Sequence, residues 1–126
     1  MNKIIYPELS YKIVGILFEV HTALGNRYQE KYYQRAVEVK LKKEKIPYVR
    51  EIAVDLMIDG EKIGKYFLDF LIDGKIIVEL KVKSALVKND FKQISAYLKA
   101  SGLKLGLLVN FYGNSLEYKR ILNNLQ

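Results

Sequence analysis

The stretch Phe67-Leu68-Asp69-Phe70-Leu71-Ile72-Asp73-Gly74-Lys75-Ile76-Ile77-Val78-Glu79-Leu80-Lys81-Val82 decides the fold. It contains two apolar runs on either side of Asp73-Gly74, a pair of residues that is typical of a tight hairpin turn. Runs with apolar residues at successive positions predict strands that are covered on both faces. We therefore predict a central β-hairpin, with one strand over Ile63 to Ile72 and the next over Lys75 to Val82.

Apolar periodicity outside this hairpin predicts the remaining elements. Helical spacing predicts three helices, at Glu8 to Leu24, Tyr28 to Lys45 and Asn89 to Ala100. Alternating or nearly uncharged runs predict strands at Tyr48 to Ile58 and Leu103 to Phe111, and Ser115 to Leu125 is predicted to form a short closing helix. The order helix, helix, three strands, helix, strand, helix indicates an α/β fold with a mixed central sheet flanked by helices. We predict a single domain over residues 1–126.

Composition narrows the class of protein. The chain has 126 residues, and its 21 Lys and Arg against 14 Asp and Glu give a net charge of +7, which favours nucleic acid as a partner over an acidic membrane surface. Without Cys and with one His, disulfides, thiolate nucleophiles and Cys- or His-rich metal sites are excluded. A metal site must therefore use oxygen ligands, which Mg²⁺, Mn²⁺ and Ca²⁺ prefer. Because no signal peptide or membrane-spanning run is visible, we expect a cytoplasmic protein.

Three charged residues interrupt the apolar strands of the hairpin: Asp69 in the first strand, and Glu79 and Lys81 in the second. A charge in such a strand costs free energy unless it is paired or binds a metal. A two-residue loop, Asp73-Gly74, would send Asp69 and Glu79 to opposite faces. A three-residue loop, Ile72-Asp73-Gly74, would make them diagonal neighbours about 7 Å apart on one face, with Lys81 beside them. The sequence allows both loops, and a functional site requires the second.

Two carboxylates and a lysine on one face have a direct chemical use. Asp69 and Glu79 can hold Mg²⁺ or Mn²⁺, which binds a phosphate oxygen and lowers the pKa of a bound water. The backbone carbonyl of Leu80 is available as a third ligand. Lys81 can orient or deprotonate that water, or stabilise charge on the scissile phosphate. These residues favour metal-dependent hydrolysis of phosphodiester bonds.

The order Asp69, then Glu79-Leu80-Lys81, then Gln93-x-x-x-Tyr97 resembles the PD-(D/E)XK nuclease superfamily. The chain is also similar to the GxxExxY proteins placed in that superfamily, over about Leu9 to Phe111. The segments that carry this similarity are Phe18-Glu19-Val20-His21, Leu24-Gly25, Glu30-Lys31-Tyr32-Tyr33, Ile77-Val78-Glu79-Leu80-Lys81 and Leu105-Gly106-Leu107-Leu108-Val109-Asn110-Phe111. The resemblance implies a restriction-endonuclease-like αβββαβ core, to which the first helix and the closing helix are additions.

Two positions depart from the family's pattern: Arg27 stands at the first glycine of the GxxExxY motif, and Leu68 stands at the proline before the aspartate. The resemblance implies that Glu30 and Gln93 join the catalytic set by contacting the water shell of the metal or a phosphate, and that Tyr97 supports Gln93. Two other interpretations stay open. Glu30 can simply favour the start of its helix as a first-turn carboxylate, and Gln93 and Tyr97 can be the polar edge of a packed helix.

The lysines downstream of the carboxylates are candidates for binding a phosphate backbone. We expect nucleic-acid contacts from Lys83, Lys88, Lys92 and Tyr97, although lysines are usually a solvated surface. The predicted function is a Mg²⁺- or Mn²⁺-dependent nuclease acting on nucleic acid, with DNA favoured over RNA and no membrane partner. The alternatives are a non-catalytic nucleic-acid-binding or accessory protein on the same fold, or a basic protein-interaction module. A homodimer is an open alternative to a monomer.

Overall fold

A five-stranded mixed sheet forms the centre of the computed structural model, which describes residues 4–123. Its strands lie side by side in chain order: β1 (Tyr48–Ile58), β2 (Glu61–Ile72), β3 (Ile76–Lys81), β4 (Leu105–Asn110) and β5 (Glu117–Leu122). Only the β3–β4 pair is parallel within this sheet, and the other three pairs are antiparallel. A parallel pair requires a crossover, which helix α3 (Lys88–Ser101) supplies. The predicted mixed α/β fold is confirmed.

Helices cover both faces of the sheet. Helices α1 (Pro7–Leu24) and α2 (Glu30–Lys43) pack on one face, where Leu17 and Tyr33 join a core cluster with Val78 of β3. Helix α3 packs on the other face, where its apolar residues form a second cluster with Ile77 and Leu108. All six residues of β4 and the first five of β3 are buried, as their largely apolar sequences predict, and Glu79 is buried with its neighbours in β3.

The predicted closing helix is wrong. Glu117–Leu122 forms β5, which pairs antiparallel with β4 from Asn110↔Glu117 to Leu105↔Leu122. An isolated helix of this length is marginal in water, whereas the free edge of β4 offers a row of backbone partners to a short strand. The buried side chains of this segment, Leu116 and Ile121, are also five residues apart, which does not match a helical stripe. The predicted helix residues 124 and 125 lie outside the described residues.

The β2–β3 loop contains Asp73, Gly74 and Lys75, so both predicted loops are wrong in register. Asp73 (φ 53°) and Gly74 (φ 64°) are left-handed, and the Lys75 N–H donates to the Ile72 carbonyl over 3.0 Å. The strands then pair as Ile72↔Ile76, Leu71↔Ile77 and Phe70↔Val78. One further step of this register sets Asp69 opposite Glu79. The two acids therefore share a side, as the three-residue loop requires, but they are directly opposed rather than diagonal.

Strand β2 changes face at Asp69. Phe70 belongs to the core cluster under α1 and α2, whereas Leu68, two residues away, belongs to the cluster under α3. Strict alternation would place both side chains on one face. The partner strand is irregular at the same level, because Glu51 has a φ of 58° between the pairs Arg50↔Phe70 and Ile52↔Leu68. The paired residues of β2 and β3 end at Phe70↔Val78, next to this change of face.

The first two strands extend well past the rest of the sheet. β1 has 11 residues and β2 has 12, against six in β3. We call residues 53–67 the arm; it continues beyond the level of Glu79, where β2 has no third strand beside it. Its exposed large apolar side chains are Leu56, Met57, Ile58, Ile63 and Phe67. Within the described part of the chain, no helix combines the length and hydropathy needed to cross a bilayer.

Candidate active site

Asp69 and Glu79 bind each other's strands through reciprocal hydrogen bonds. The Asp69 N–H donates to Oε1 of Glu79 over 3.0 Å, and the Leu80 N–H donates to Oδ2 of Asp69 over 2.7 Å. The carboxylates thus accept N–H groups that the separating strands no longer pair with each other. This arrangement fixes two acidic side chains side by side at the end of the β2–β3 ladder.

The acidic pair is strongly desolvated. Glu79 is 5% exposed. Burial, together with the charge of Glu79 and a hydrogen bond with it, raises the pKa of Asp69 to about 8, although the Leu80 N–H and Lys81 act in the opposite direction. Without a cation, the pair therefore retains a proton at neutral pH. That behaviour is typical of two carboxylates placed too close together for both to ionise.

Lys81 lies on the open side of this pair. Its Nζ is 3.2 Å from Oε2 of Glu79 and 4.0 Å from Oδ1 of Asp90, and 21% of its side chain is exposed. Burial by itself would lower the pKa of Lys81, but the attraction of Glu79, Glu30 and Asp90 outweighs burial and raises it. The lysine is accordingly a cation among carboxylates, within reach of solvent.

Glu30, at the first position of α2, joins the site through Gln34. The Gln34 Nε2 donates to Oδ1 of Asp69 over 2.9 Å and to Oε2 of Glu30 over 3.3 Å. Burial and the charge of Asp69 raise the pKa of Glu30, while Lys81 and Lys83 oppose that rise. Gln34 therefore links Glu30 to Asp69 in the structure, and the contact of Glu30 with the metal's water shell or a phosphate stays a prediction.

Asp90 and Gln34 are neighbours of the site that the sequence reasoning missed. Oδ2 of Asp90 accepts the Val87 N–H over 2.7 Å and the Nζ of Lys83 over 2.9 Å. The sequence signal for Asp90 was its place in the first turn of a predicted helix, where a carboxylate interacts favourably with the helix N-terminus. For Gln34, the signal was its place four residues after Glu30, which puts the two on one side of α2.

The other predicted site residues have no direct contact with the Asp69–Glu79 pair among the described hydrogen bonds and ion pairs. Lys83 is bound to Asp90, whereas Lys88 and Lys92 are exposed on α3. The Gln93 carbonyl accepts a hydrogen bond from Tyr66 over 3.0 Å, but within residues 4–123 no side-chain hydrogen bond links Gln93 to the acidic pair. Tyr97 is partly buried against the core cluster under α3. The structure thus brings Asp69, Glu79, Lys81 and Glu30 together, and the role of each predicted site residue stays a prediction.

The donor set fits a hard divalent cation. Mg²⁺ is usually held by one or two carboxylates plus water and substrate phosphates, rather than by a complete protein cage. Residues 4–123 contain no group of three or more His, Cys, Asp or Glu side chains arranged to hold a metal. Asp69 and Glu79 supply two carboxylates, and each oxygen that accepts an N–H retains a second lone pair. A bound cation would also offset the repulsion between these two buried carboxylates.

The helix, three-strand meander, helix and strand around this site make up a restriction-endonuclease-like fold. A comparison with protein-family models matches residues 7–121 to the PD-(D/E)XK nuclease superfamily, and the chain belongs to that superfamily. Among solved structures, the crystal structure of SSO0001 is similar, with a TM-score of 0.57 and 18% sequence identity over 95% of this chain. The match covers 60% of that protein's length and supports the fold alone. A search of curated proteins finds no significant match.

Proposed function

We propose that this chain is a metal-dependent nuclease that hydrolyses phosphodiester bonds in nucleic acid, with DNA as the favoured substrate class. The observation that carries the proposal is the buried Asp69–Glu79 pair, with Lys81 3.2 Å from Glu79, in a member of the PD-(D/E)XK nuclease superfamily. Nucleases of this superfamily generally act on phosphodiester bonds. A buried acidic pair costs folding free energy, which is a common feature of functional sites.

In this proposal, Asp69 and Glu79 hold Mg²⁺ or Mn²⁺, with the Leu80 carbonyl as a third ligand. The cation, when bound, supplies Lewis acidity and a water of lowered pKa. Lys81 holds its positive charge beside Glu79, so we assign it to orienting that water and to stabilising charge on the scissile phosphate. Glu30 is assigned to the water shell of the metal because Gln34 links it to Asp69.

The assignments on α3 rest on position. Gln93 and Tyr97 lie on the crossover helix, and we propose that Gln93 contacts a phosphate or the metal's water shell while Tyr97 supports it. Lys88 and Lys92 are exposed at the start of the same helix, and Lys83 lies in the segment that leads to it. These lysines would offset the repulsion between the acidic site and a phosphate backbone.

Finer parts of the proposal concern the family and the assembly. We propose that the chain belongs with the GxxExxY proteins, that residues 1–126 act as a single domain, and that it works in the cytoplasm. We also propose that a second copy of the chain packs on the arm. Residues 53–67 carry two lysines against three acidic residues, so the arm lacks the basic excess that attracts a polyanion and instead complements the basic surface of a second copy. Its exposed apolar residues also suit contact with another protein surface.

A cleavage assay tests the proposed function. Purified protein is incubated with duplex DNA, single-stranded DNA and RNA, each with Mg²⁺, with Mn²⁺ or with chelator. We expect metal-dependent cleavage that Asp69→Asn and Glu79→Gln abolish. The matched control is Asp73→Asn, which neutralises an exposed aspartate in the β2–β3 loop. Salt-dependent binding of nucleic acid without cleavage under any metal would instead support the accessory-protein alternative.

A further inference from the structure

Gln34 occupies the centre of a polar network that the proposed mechanism does not use. Its Nε2 is 2.9 Å from Oδ1 of Asp69 and 3.3 Å from Oε2 of Glu30, and its Oε1 is 3.3 Å from Nη2 of Arg50. One neutral side chain thus contacts two carboxylates and one guanidinium. Among the described residues, no other glutamine side chain forms hydrogen bonds with two acidic residues of the site.

The partners of Gln34 determine how its amide is oriented. A guanidinium can only donate hydrogen bonds, and a carboxylate without its proton can only accept them. The amide oxygen must therefore face Arg50, which leaves the amide nitrogen to face Asp69 and Glu30. The reverse orientation would set donor against donor at Arg50. Arg50 consequently locks the amide in the orientation that serves the acidic residues.

Arg50 is itself held in place from several sides. Its Nη1 is 3.0 Å from Oε1 of Glu38, whose Oε2 accepts the Tyr48 hydroxyl over 2.6 Å. Its guanidinium also lies over the ring of Phe70, 4.7 Å from the centroid, which favours a cation–π contact. These contacts join β1, β2 and α2 around one rigid side chain. The anchor for Gln34 is therefore the fold itself rather than a mobile surface group.

We propose that Gln34 is a positioning residue for the metal site, and that Arg50 acts through it. Oδ1 of Asp69 is fixed by Gln34 and Oδ2 by the Leu80 N–H, so the carboxylate has one preferred rotation. The same amide draws Glu30 to the acidic pair. This inference rests on the proposed function, because a positioning role requires a cation to be bound. Loss of a hydrogen-bond partner behind a metal ligand typically weakens metal affinity by about 10- to 100-fold.

The test is a Mn²⁺ titration followed by melting temperature, which needs no substrate. Gln34→Met removes the amide but keeps the length of the side chain, and we expect it to raise the half-saturating Mn²⁺ concentration at least about 10-fold. Gln29→Met is the matched control, since Gln29 precedes α2, is exposed and has no side-chain cap contact. We expect its half-saturating concentration to equal that of the wild type.

A double-mutant cycle tests the part played by Arg50. Arg50→Met should weaken Mn²⁺ binding in the wild type and add little in the Gln34→Met background, because its effect passes through the amide. Urea unfolding of the four metal-free proteins provides a second readout, in which the two substitutions should be non-additive. That readout keeps the coupling measurable even if Arg50→Met lowers stability.

Each remaining outcome overturns a defined part of the proposal. If Gln34→Met and wild type half-saturate at the same Mn²⁺ concentration, Gln34 does not position the site, and the proposed nuclease function is unaffected. If the two substitutions are additive in both readouts, Arg50 does not act through Gln34. If wild type does not respond to Mn²⁺ and does not cleave nucleic acid, the proposed function fails, and the positioning role fails with it.

Discussion

The backbone N–H of Asp69 donates to the carboxylate of Glu79 over 3.0 Å, at the level where β2 and β3 cease to pair. The Glu79 carboxylate therefore takes the place of a ladder partner, and the Asp69 carboxylate does the same for Leu80. Because both acids are held by the backbone, neither can relieve their repulsion by rotating into solvent. The fold therefore keeps both carboxylates buried and close to each other, and the first two predictions follow from that arrangement.

Asp69→Asn should stabilise the metal-free protein at pH 8. Burial and the charge of Glu79 raise the pKa of Asp69 to about 8, so its ionised form is disfavoured in the folded state. Asparagine removes that charge and keeps an oxygen that can accept the Leu80 N–H. Its amide nitrogen then meets the Gln34 amide nitrogen, which offsets part of the gain. We expect a gain of about 1 kcal/mol or more in the free energy of unfolding, the equivalent of one pKa unit. Urea unfolding with chelator measures it. Loss of stability would make Asp69 a structural partner instead.

The wild-type free energy of unfolding should fall as pH rises from about 4 to 8. A carboxyl whose folded-state pKa is raised binds its proton more tightly when folded, so its contribution is complete below the unfolded pKa and disappears as pH passes the folded pKa. Glu30, whose pKa is also raised by burial and by Asp69, adds to the same slope. Urea titrations at several pH values in chelator should show a shallower slope for Asp69→Asn. An equal slope in the two proteins would contradict the assignment to Asp69.

Mn²⁺ should raise the melting temperature of wild type more at pH 8 than at pH 6. A cation competes with the proton that the Asp69–Glu79 pair retains, so metal binding releases a proton and strengthens as pH rises. Binding to the folded state alone raises stability with ligand concentration. Glu79→Gln should remove most of the shift at both pH values, whereas Asp73→Asn should not change it. A shift that survives in Glu79→Gln would place the metal elsewhere.

Local pattern was sufficient to predict the centre of the fold. β3 and β4 are mainly apolar, and strands with apolar residues on both faces are typically covered by helices on both sides. Asp69, Glu79 and Lys81 could also be identified from the sequence as candidate site residues, because a buried charge costs free energy unless it is paired or binds a metal. These residues meet in the structure, although the sequence by itself also allowed a loop that would have sent Asp69 and Glu79 to opposite faces.

Register and non-local pairing could not be predicted in the same way. The β2–β3 loop depends on a left-handed Asp73, a conformation that non-glycine residues adopt uncommonly. β5 forms because β4 has a free edge, which no local property of Glu117–Leu122 indicates. Gln34 reaches Asp69 across 35 positions, at the point where β2 changes face. Each of these features is set by the assembled sheet.

Lys81→Ala should abolish cleavage and leave the affinity for nucleic acid within a few-fold of wild type. Lys81 is one of 21 Lys and Arg residues, so its loss should change the overall attraction to phosphates little. Its Nζ is 3.2 Å from Glu79, so its loss should affect chemistry at the acidic pair directly. Lys81→Arg should rescue poorly because a planar guanidinium differs in shape from an ammonium group. Lys75→Ala, in the β2–β3 loop, is the control. Near-wild-type cleavage by Lys81→Ala would remove this lysine from the mechanism.

Affinity for nucleic acid should fall linearly on a plot of log affinity against log salt, since binding releases counterions from the phosphates. Lys88 and Lys92 are exposed on α3, one turn apart. Asp90, in the first turn of the same helix, lies 4.0 Å from Lys81. Replacing both lysines by glutamate should weaken binding and flatten the salt slope. The control replaces Lys42 and Lys43 by glutamate, which changes the charge equally at the end of α2.

Fluorescence anisotropy with duplex and single-stranded DNA over a range of salt concentrations measures both slopes. Equal slopes for the two double variants would show that α3 does not contact the phosphates, and affinity independent of salt would contradict any nucleic-acid role.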